Sequence, residues 1–276
     1  EQRDLARAVR AEALDVLFSP AYTAPLRISV PSVVSMHDVS FAAHPEWYGW
    51  RHGLRLRLLA RWSGRRAHTV LTLTEFSAAE IVRHLGVAAD RIRVIPLAAD
   101  YHDAPVPPAS GRPADADAPV VLFVGSIFER RHLPLLIDGV VRARREIPGL
   151  RLDVIGENRT SPRQDFAAIA TQLGDEGALR LRDYVSDAEL DAAYAQASVF
   201  AFLSEYEGFD LTPLEAMRHR LPTIVLDTPV AREVYGAGAR YVPVDAPAIL
   251  AEALVQLVRV EAARSAQIAA GDTTVA

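Results

Sequence analysis

Cysteine is absent from all 276 residues, which excludes disulfides, zinc–thiolate sites and thiol catalysis. Lysine is absent as well: all 30 basic side chains are arginine. That is read mainly as a coding bias, yet it rules out any catalytic lysine. No apolar run approaches the roughly 20 residues that cross a bilayer, and no secretory signal opens the chain. A Walker loop, a G-x-S-x-G elbow and a metal-spaced histidine pair are all missing. Neither sign of charge dominates. Residues 1–103 hold 13 Arg against 11 acids and residues 104–276 hold 17 Arg against 24 acids, for a net charge of −5. Neither part has the basic surplus of a nucleic-acid-binding domain, so no nucleic-acid partner is expected. What remains is a chain that is 50% hydrophobic and 24% charged, the composition of a soluble globular protein with room for two domains.

A Pro/Ala/Asp stretch, Ala104-Pro-Val-Pro-Pro-Ala-Ser-Gly-Arg-Pro-Ala-Asp-Ala-Asp-Ala-Pro119, has no apolar period and reads as a linker. The expected division is therefore 1–103, a linker at 104–118, and 119–276. In the last segment, strand-like runs at 120–125, 151–156, 179–184, 199–203, 222–226 and 240–244 alternate with helical spacing. Continuous β-branched runs separated by helices predict a parallel sheet covered on both faces. The first hundred residues repeat this grammar less completely. Strands are expected at 16–19, 32–36, 69–74 and 91–97, with helices at 2–12, 53–66 and 77–85. No strand and glycine-rich turn precede the opening helix, so the first domain is expected to be reduced or incomplete.

The chemistry concentrates in Glu205-Tyr-Glu-Gly-Phe-Asp-Leu-Thr-Pro-Leu-Glu215. A buried strand, a glycine turn and a helix start form an anion seat, because the first helical N–H groups lack internal partners. Glu207 and Glu215 flank that seat. Carboxylates cannot hold phosphates, but they accept hydrogen bonds from hydroxyls of a phosphorylated ligand such as a ribose and a hexose. Together these point to a nucleotide-sugar. Ligands of parallel sheets sit outside the carboxyl ends of the strands, where both Gly125-Ser126 and the Glu207 loop are expected.

Several segments resemble the retaining glycosyltransferases of family 4. Glu207-Gly-Phe-Asp-Leu-Thr-Pro-Leu-Glu215 is similar to their E-x7-E motif. Val121-Leu-Phe-Val-Gly-Ser-Ile-Phe-Glu-Arg-Arg-His-Leu133 resembles their strand, glycine and phosphate loop. Ser35-Met-His-Asp-Val-Ser-Phe41 with His44-Pro-Glu-Trp47 looks like their H-D segment, and residues 71–80 and 91–96 match the last strands of their first domain. The resemblance implies an α/β, GT-B-like architecture of two Rossmann-like doubly wound domains facing a cleft. It also implies a cytoplasmic enzyme that moves a sugar, with retention and without a metal or other cofactor, from a GDP-, UDP- or dTDP-sugar to a glycan or lipid-linked acceptor. Its implied donor-binding residues are Gly125, Arg130, Arg131, Gly208, Phe209, Leu211 and Glu215, with Glu215 on the ribose and Arg131 on the diphosphate. Glu207 and His37 are the implied catalytic residues at the transferred sugar. Base choice would lie with the loops near Gly156 and Tyr184.

Each residue also has a plainer reading. Thr212-Pro-Leu-Glu215 is itself a capping box, with Pro at the first helical position. Glu205 reads as merely exposed, Glu129-Arg-Arg-His132 as a solvated turn, and His37 as structural, against which the adjacent Asp38 is placed to orient it for catalysis. The run 51–66 has six arginines and no acid; it can touch an anionic membrane surface, or simply pack its leucines on the sheet. Asp115-Ala-Asp117 imitates a metal-binding D-x-D, but it lies in the linker. Asp210 places a negative charge where a diphosphate would land and requires an answering arginine. Arg220 stands where a glycine would end the following helix, so a left-handed cap there carries a steric cost. Residues 264–276 read as a polar tail. Two rival functions stay open: a non-catalytic nucleotide-sugar-binding or scaffolding relative, and a sugar-nucleotide epimerase.

Overall fold

The computed structural model describes residues 2–98 and 118–276. The Asp115-Ala-Asp117 motif and all but Ala118 of the expected linker thus lie outside the described residues. The chain divides into two compact units, Glu1–Leu97 with Tyr206–Phe209, and Ala98–Glu205 with Asp210–Ala276.

In the first unit, α1 (Asp4–Ala11) precedes four parallel strands, β1 (Leu17–Ser19), β2 (Ser32–Ser35), β3 (Thr69–Thr72) and β4 (Ile92–Val94), which lie side by side in chain order. Val34, Val70 and Ile92 stand opposite one another across the strands and are buried. Helices α2 (Ser40–Ala43) and α3 (Trp50–Arg66) lie between β2 and β3, and α4 (Glu75–Leu85) between β3 and β4. Sequence chemistry sets the limits of α4. Thr74 accepts a hydrogen bond from the Ser77 amide at its start, and Gly86 takes φ 65° at its end, where a side chain would be strained. Of the two readings open for α3, packing of its leucines holds for Leu56, which lies against the core, and partly for the half-buried Leu59, while Leu54 and Leu58 are exposed. The fully buried residues of the helix are small, Gly53, Ala60, Ser63 and Gly64. A Cβ on Gly64 would come within 2.8 Å of Val87 and 2.9 Å of Met36, so the helix sits too close for bulk on that face.

The second unit carries six parallel strands: β5 (Val120–Val124), β6 (Arg151–Ile155), β7 (Leu179–Arg182), β8 (Val199–Phe202), β9 (Thr223–Leu226) and β10 (Ala239–Val242). Their spatial order is β10-β9-β8-β5-β6-β7, the doubly wound arrangement. Helices α5 (Leu133–Ala143), α6 (Phe166–Gln172), α7 (Asp187–Gln196), α8 (Thr212–Arg218), α9 (Pro229–Tyr235) and α10 (Pro247–Arg259) follow the strands in turn. Every residue of β5, β8 and β9 is buried, as strands covered on both faces must be. The edge strand β7 reads Leu-Arg-Leu-Arg and is only half-buried or exposed, with charge blunting the open edge.

One expectation is corrected. The polar tail is a helix, α11 (Glu261–Val275), packed on α8. Gly271 lets it approach Met217, where a Cβ would stand 3.4 Å from that side chain. Gln267 donates to the Gly238 carbonyl at 2.7 Å, and Arg220 pairs with Asp272 at 2.9 Å. Ile268 and Gly271 are its buried residues, so polar bonds and one close approach, rather than a long apolar stripe, make the contact face. Among the described residues no helix is long and apolar enough to cross a membrane.

Candidate functional site

The strand order of the second unit reverses between β5 and β8. The loops leaving the carboxyl ends of two such strands diverge to opposite sides and leave a crevice, the usual ligand position in open α/β sheets. Here those loops are 125–131 after β5 and, within this unit, Glu205, Asp210 and Leu211 after β8, both from segments singled out in the sequence. They are tied together, since the Glu205 amide donates to the Arg130 carbonyl at 2.9 Å.

Arg131 is the centre of the crevice. Its side chain is 11% exposed; Nη1 donates to the Ser126 carbonyl and Nη2 to Asp210 Oδ2, each at 3.0 Å. Its guanidinium lies 4.6 Å from the centroid of Phe202, and Arg130 lies 4.4 Å from that of Phe128. Stacking and two hydrogen bonds hold the planar fork in one orientation. Gly125, at φ 134°, makes this possible: a Cβ there would stand 2.6 Å from Arg131 Nη1. Asp210 is thus answered by an arginine, as its charge requires.

Asp210 also rewrites the start of α8. It takes φ 67°, and its Oδ1 accepts from both the Thr212 amide (3.0 Å) and the Thr212 hydroxyl (2.9 Å). The expected capping box is therefore not formed. The Thr212 hydroxyl is spent as a donor, Leu211 stands at the cap position with no side-chain bond, and Pro213 opens the first turn. One of the helical amides expected to face an anion is taken by Asp210, and the Glu215 amide donates to Leu211.

Relieved of capping, Glu215 turns to Tyr194, whose hydroxyl donates to Oε2 at 3.3 Å. Burial, with a smaller contribution from Asp210, raises the Glu215 pKa against the lowering effect of that bond. Burial, aided by the Glu215 charge, likewise pushes up the Tyr194 phenol. Behind Tyr194 the His219 ring stacks at 4.7 Å and 7°. Burial lowers the His219 pKa, so the imidazole is neutral near pH 7. Sequence reasoning missed both partners. His219 was findable, four residues after Glu215 on the same helical face; Tyr194, on another helix, had no local signal beyond a buried hydroxyl that needs a partner. Glu205, read as merely exposed, pairs with His132 Nε2 at 2.8 Å.

His37, Glu207, Gly208 and Phe209 belong to the first unit. Gly208 is pressed against the chain beyond β2, where a Cβ would stand 1.9 Å from the His37 carbonyl oxygen. Its own carbonyl accepts from Thr74 Oγ1 at 3.1 Å and Ser77 Oγ at 3.4 Å. Tyr206 anchors the segment edge-on to His44 (5.1 Å) and Phe76 (5.5 Å), its hydroxyl donating to Glu80 at 3.4 Å. Phe209 is buried and Glu207 half-buried. His37 is half-buried; its Nε2 is 3.0 Å from the Pro20 carbonyl, so that nitrogen carries the proton. Asp38 does not orient it, because its carboxylate accepts from the Ser40 amide (2.8 Å), the Ser40 hydroxyl (2.6 Å) and Tyr22 (3.3 Å). The structure thus joins Gly125, Arg131 and Asp210 in one unit, and His37 and Gly208 in the other. Among the described residues no group of three His, Asp or Glu is placed to hold a metal ion.

Comparison with known proteins agrees with this architecture. O-antigen chain mannosyltransferase B of Escherichia coli is 29% identical over 252 residues, 88% of this chain and 65% of that protein. GDP-mannose:cellobiosyl-diphosphopolyprenol alpha-mannosyltransferase of Komagataeibacter xylinus is 33% identical over 171 residues, 60% of this chain and 41% of that protein. The chain therefore spans less than two thirds of the length of these relatives. The sucrose-phosphate synthase structure from Thermosynechococcus elongatus superposes with a TM-score of 0.77 at 18% identity, covering 99% of this chain and 73% of that one; at that identity it speaks for the fold. The Glycosyltransferase Family 4 profile matches residues 1–103, and the profile described as Glycosyl transferases group 1 matches residues 118–259. With more than half of its length under that second profile, the chain belongs to the glycosyl transferases group 1 family, and its two sheets are those of a GT-B fold.

Proposed function

We propose that the chain acts as a metal-independent, retaining glycosyltransferase on a nucleotide-diphospho-sugar, passing a hexosyl group to a glycan or lipid-linked acceptor of the cell envelope. The observation that carries this reading is Arg131, held over Phe202 at the crevice between β5 and β8, with the half-buried Glu215 carboxylate on the helix that follows. A guanidinium fixed in a low-dielectric site matches phosphate oxygens and stabilises a departing diphosphate. Glu215, kept from capping its own helix, is the acceptor for ribose hydroxyls. Arg130, Gly208, Phe209 and Leu211 are the further donor contacts, and His37 and Glu207 the groups at the transferred sugar. The names of the two curated relatives favour a mannosyl donor, GDP-mannose first.

One observation favours the non-catalytic alternative: Asp210 occupies the first amide of α8 and half-neutralises Arg131. Incubation with GDP-, UDP- and dTDP-sugars, with and without polyprenyl-diphosphate glycan acceptors, separates the readings, with products followed by NMR. Transfer with retained anomeric configuration, lost in Arg131→Ala and Glu207→Ala, is expected. Tight GDP binding without transfer to any acceptor would support the binding protein instead.

A further inference from the structure

We infer that α3 is a docking face for an anionic lipid surface. This inference does not rest on the donor reading, because it concerns the outer side of a helix in the first unit. Four large apolar side chains recur on α3 at every fourth position and stand in solvent: Trp50 74% exposed, Leu54 41%, Leu58 38% and Trp62 45%. Apart from His52, every other exposed residue of the helix is arginine. The stretch from Trp47 to Thr74 contains no carboxylate. Among the described residues, Arg51, Arg55, Arg57, Arg61 and Arg66 take part in no ion pair.

Helical geometry interleaves these two kinds of residue. Successive fourth positions drift by about 40° around the axis, so the Trp/Leu stripe crosses the outward face with arginines on both sides. Trp50 and Trp62 stand about 18 Å apart along it. A helix that needed only its own unit would bury those leucines. This one instead docks through Gly53, Ala60, Ser63 and Gly64, with Leu56 packed beside them, and leaves Trp50, Leu54, Leu58 and Trp62 outside. At its far end, Arg66 also lines a cavity of about 600 Å³ with Arg91, His68, Leu26 and Ile28, so mixed basic and apolar surface continues past the helix. Phospholipid headgroups answer both properties at once: phosphates take the guanidinium forks, while Trp and Leu enter the headgroup boundary. An acid-poor, arginine-rich face repels a second copy of itself, and charge complementarity therefore selects the anionic bilayer over self-association.

Sedimentation of the full chain with phosphatidylglycerol/phosphatidylcholine vesicles, against phosphatidylcholine alone, tests the inference. Binding should require the anionic lipid and weaken as salt rises. The variant Arg51→Gln/Arg55→Gln/Arg61→Gln should lose on the order of 100-fold in partitioning, about fivefold per arginine. Brominated acyl chains should quench the tryptophan emission of the bound protein, and Trp50→Ser/Trp62→Ser should bind more weakly with unchanged circular dichroism. No binding to anionic vesicles at low salt, or equal binding by the triple arginine variant, overturns the inference. So does a dimer in solution that Trp62→Glu dissociates, since a second copy would then cover this face.

Discussion

The Arg131–Asp210 pair lets stability and ligand affinity be pulled in opposite directions. Asp210→Asn is the informative change. Asn tolerates the left-handed backbone of φ 67° and keeps an oxygen for the Thr212 amide, so the start of α8 survives. What it removes is the counter-charge of a guanidinium only 11% exposed. Breaking one side of a buried pair costs about 3–5 kcal/mol. The Ser126 carbonyl and the Phe202 ring retain part of that, which leaves a loss of about 2–3 kcal/mol. For a domain of this size the melting temperature should fall by about 5–10 °C. Ligand affinity should move the other way. A carboxylate and a phosphate sharing one guanidinium stand about 6 Å apart, and at an effective dielectric of about 20 their repulsion is about 3 kcal/mol. Allowing for looser placement of the freed arginine, GDP or UDP should bind Asp210→Asn at least about tenfold more tightly. Arg131→Met should lower both stability and affinity. Calorimetric titration with GDP and UDP beside thermal melts decides the matter. If Asp210→Asn melts lower and binds no nucleotide better, while Arg131→Met binds like the parent, the pair is structural and the diphosphate does not meet this arginine.

Three further outcomes are expected. Gly208→Ala places a methyl 1.9 Å from the His37 carbonyl oxygen, and since backbone must move, a loss of about 1–3 kcal/mol and of transfer activity should appear in melts and turnover assays. Glu215→Gln should raise the melting temperature at pH 7. The folded-state pKa of Glu215 lies above the ordinary 4.5, so the folded protein binds the proton more tightly and its stability falls as pH rises through the window from 4.5 upward; the gain should vanish well below pH 4.5, and a gain that persists there would contradict the burial argument. Deleting residues 261–276 uncovers Met217, now 1% exposed, and breaks the Arg220–Asp272 pair, so the urea midpoint should report a loss of at least about 2 kcal/mol.

Much of the fold was legible because parallel sheets write themselves as continuous apolar runs. Val120–Val124, Val199–Phe202 and Thr223–Leu226 are each wholly buried, and no alternating pattern competes with that reading. Strand ends were overrun by one or two residues, as at Leu203 and at Asp183-Tyr184, because the apolar run or its flank continues past the last ladder pair. Helix α11 was not legible. Its buried residues are Ile268 and Gly271 alone, too few to write an apolar stripe, and what it covers, Met217 and Gly238, lies far away in sequence. The inward face of α3 escaped for a related reason: leucine at helical spacing suggests burial, while the fully buried positions are Gly53, Ala60, Ser63 and Gly64.

The candidate site shows where local grammar misleads. Thr212-Pro-Leu-Glu215 has every letter of a capping box, and one residue of context defeats it. Asp210 in the left-handed region reaches the Thr212 amide and hydroxyl first, because an acid two residues before an amide closes a local ring with little loss of entropy. Once the cap is supplied by Asp210, Glu215 has no local reason to be an acid at all. It is half-buried, raised in pKa by that burial, and set against Tyr194. A glutamine of the same shape would serve the packing with less desolvation. The same aspartate draws Arg131 across from the other loop, so one residue both ends the plain explanation for Glu215 and places the arginine. A carboxylate held half-buried at a sheet's crossover at some cost to stability, beside a fixed guanidinium, is what the proposed donor site requires, and a merely structural turn has no use for that carboxylate.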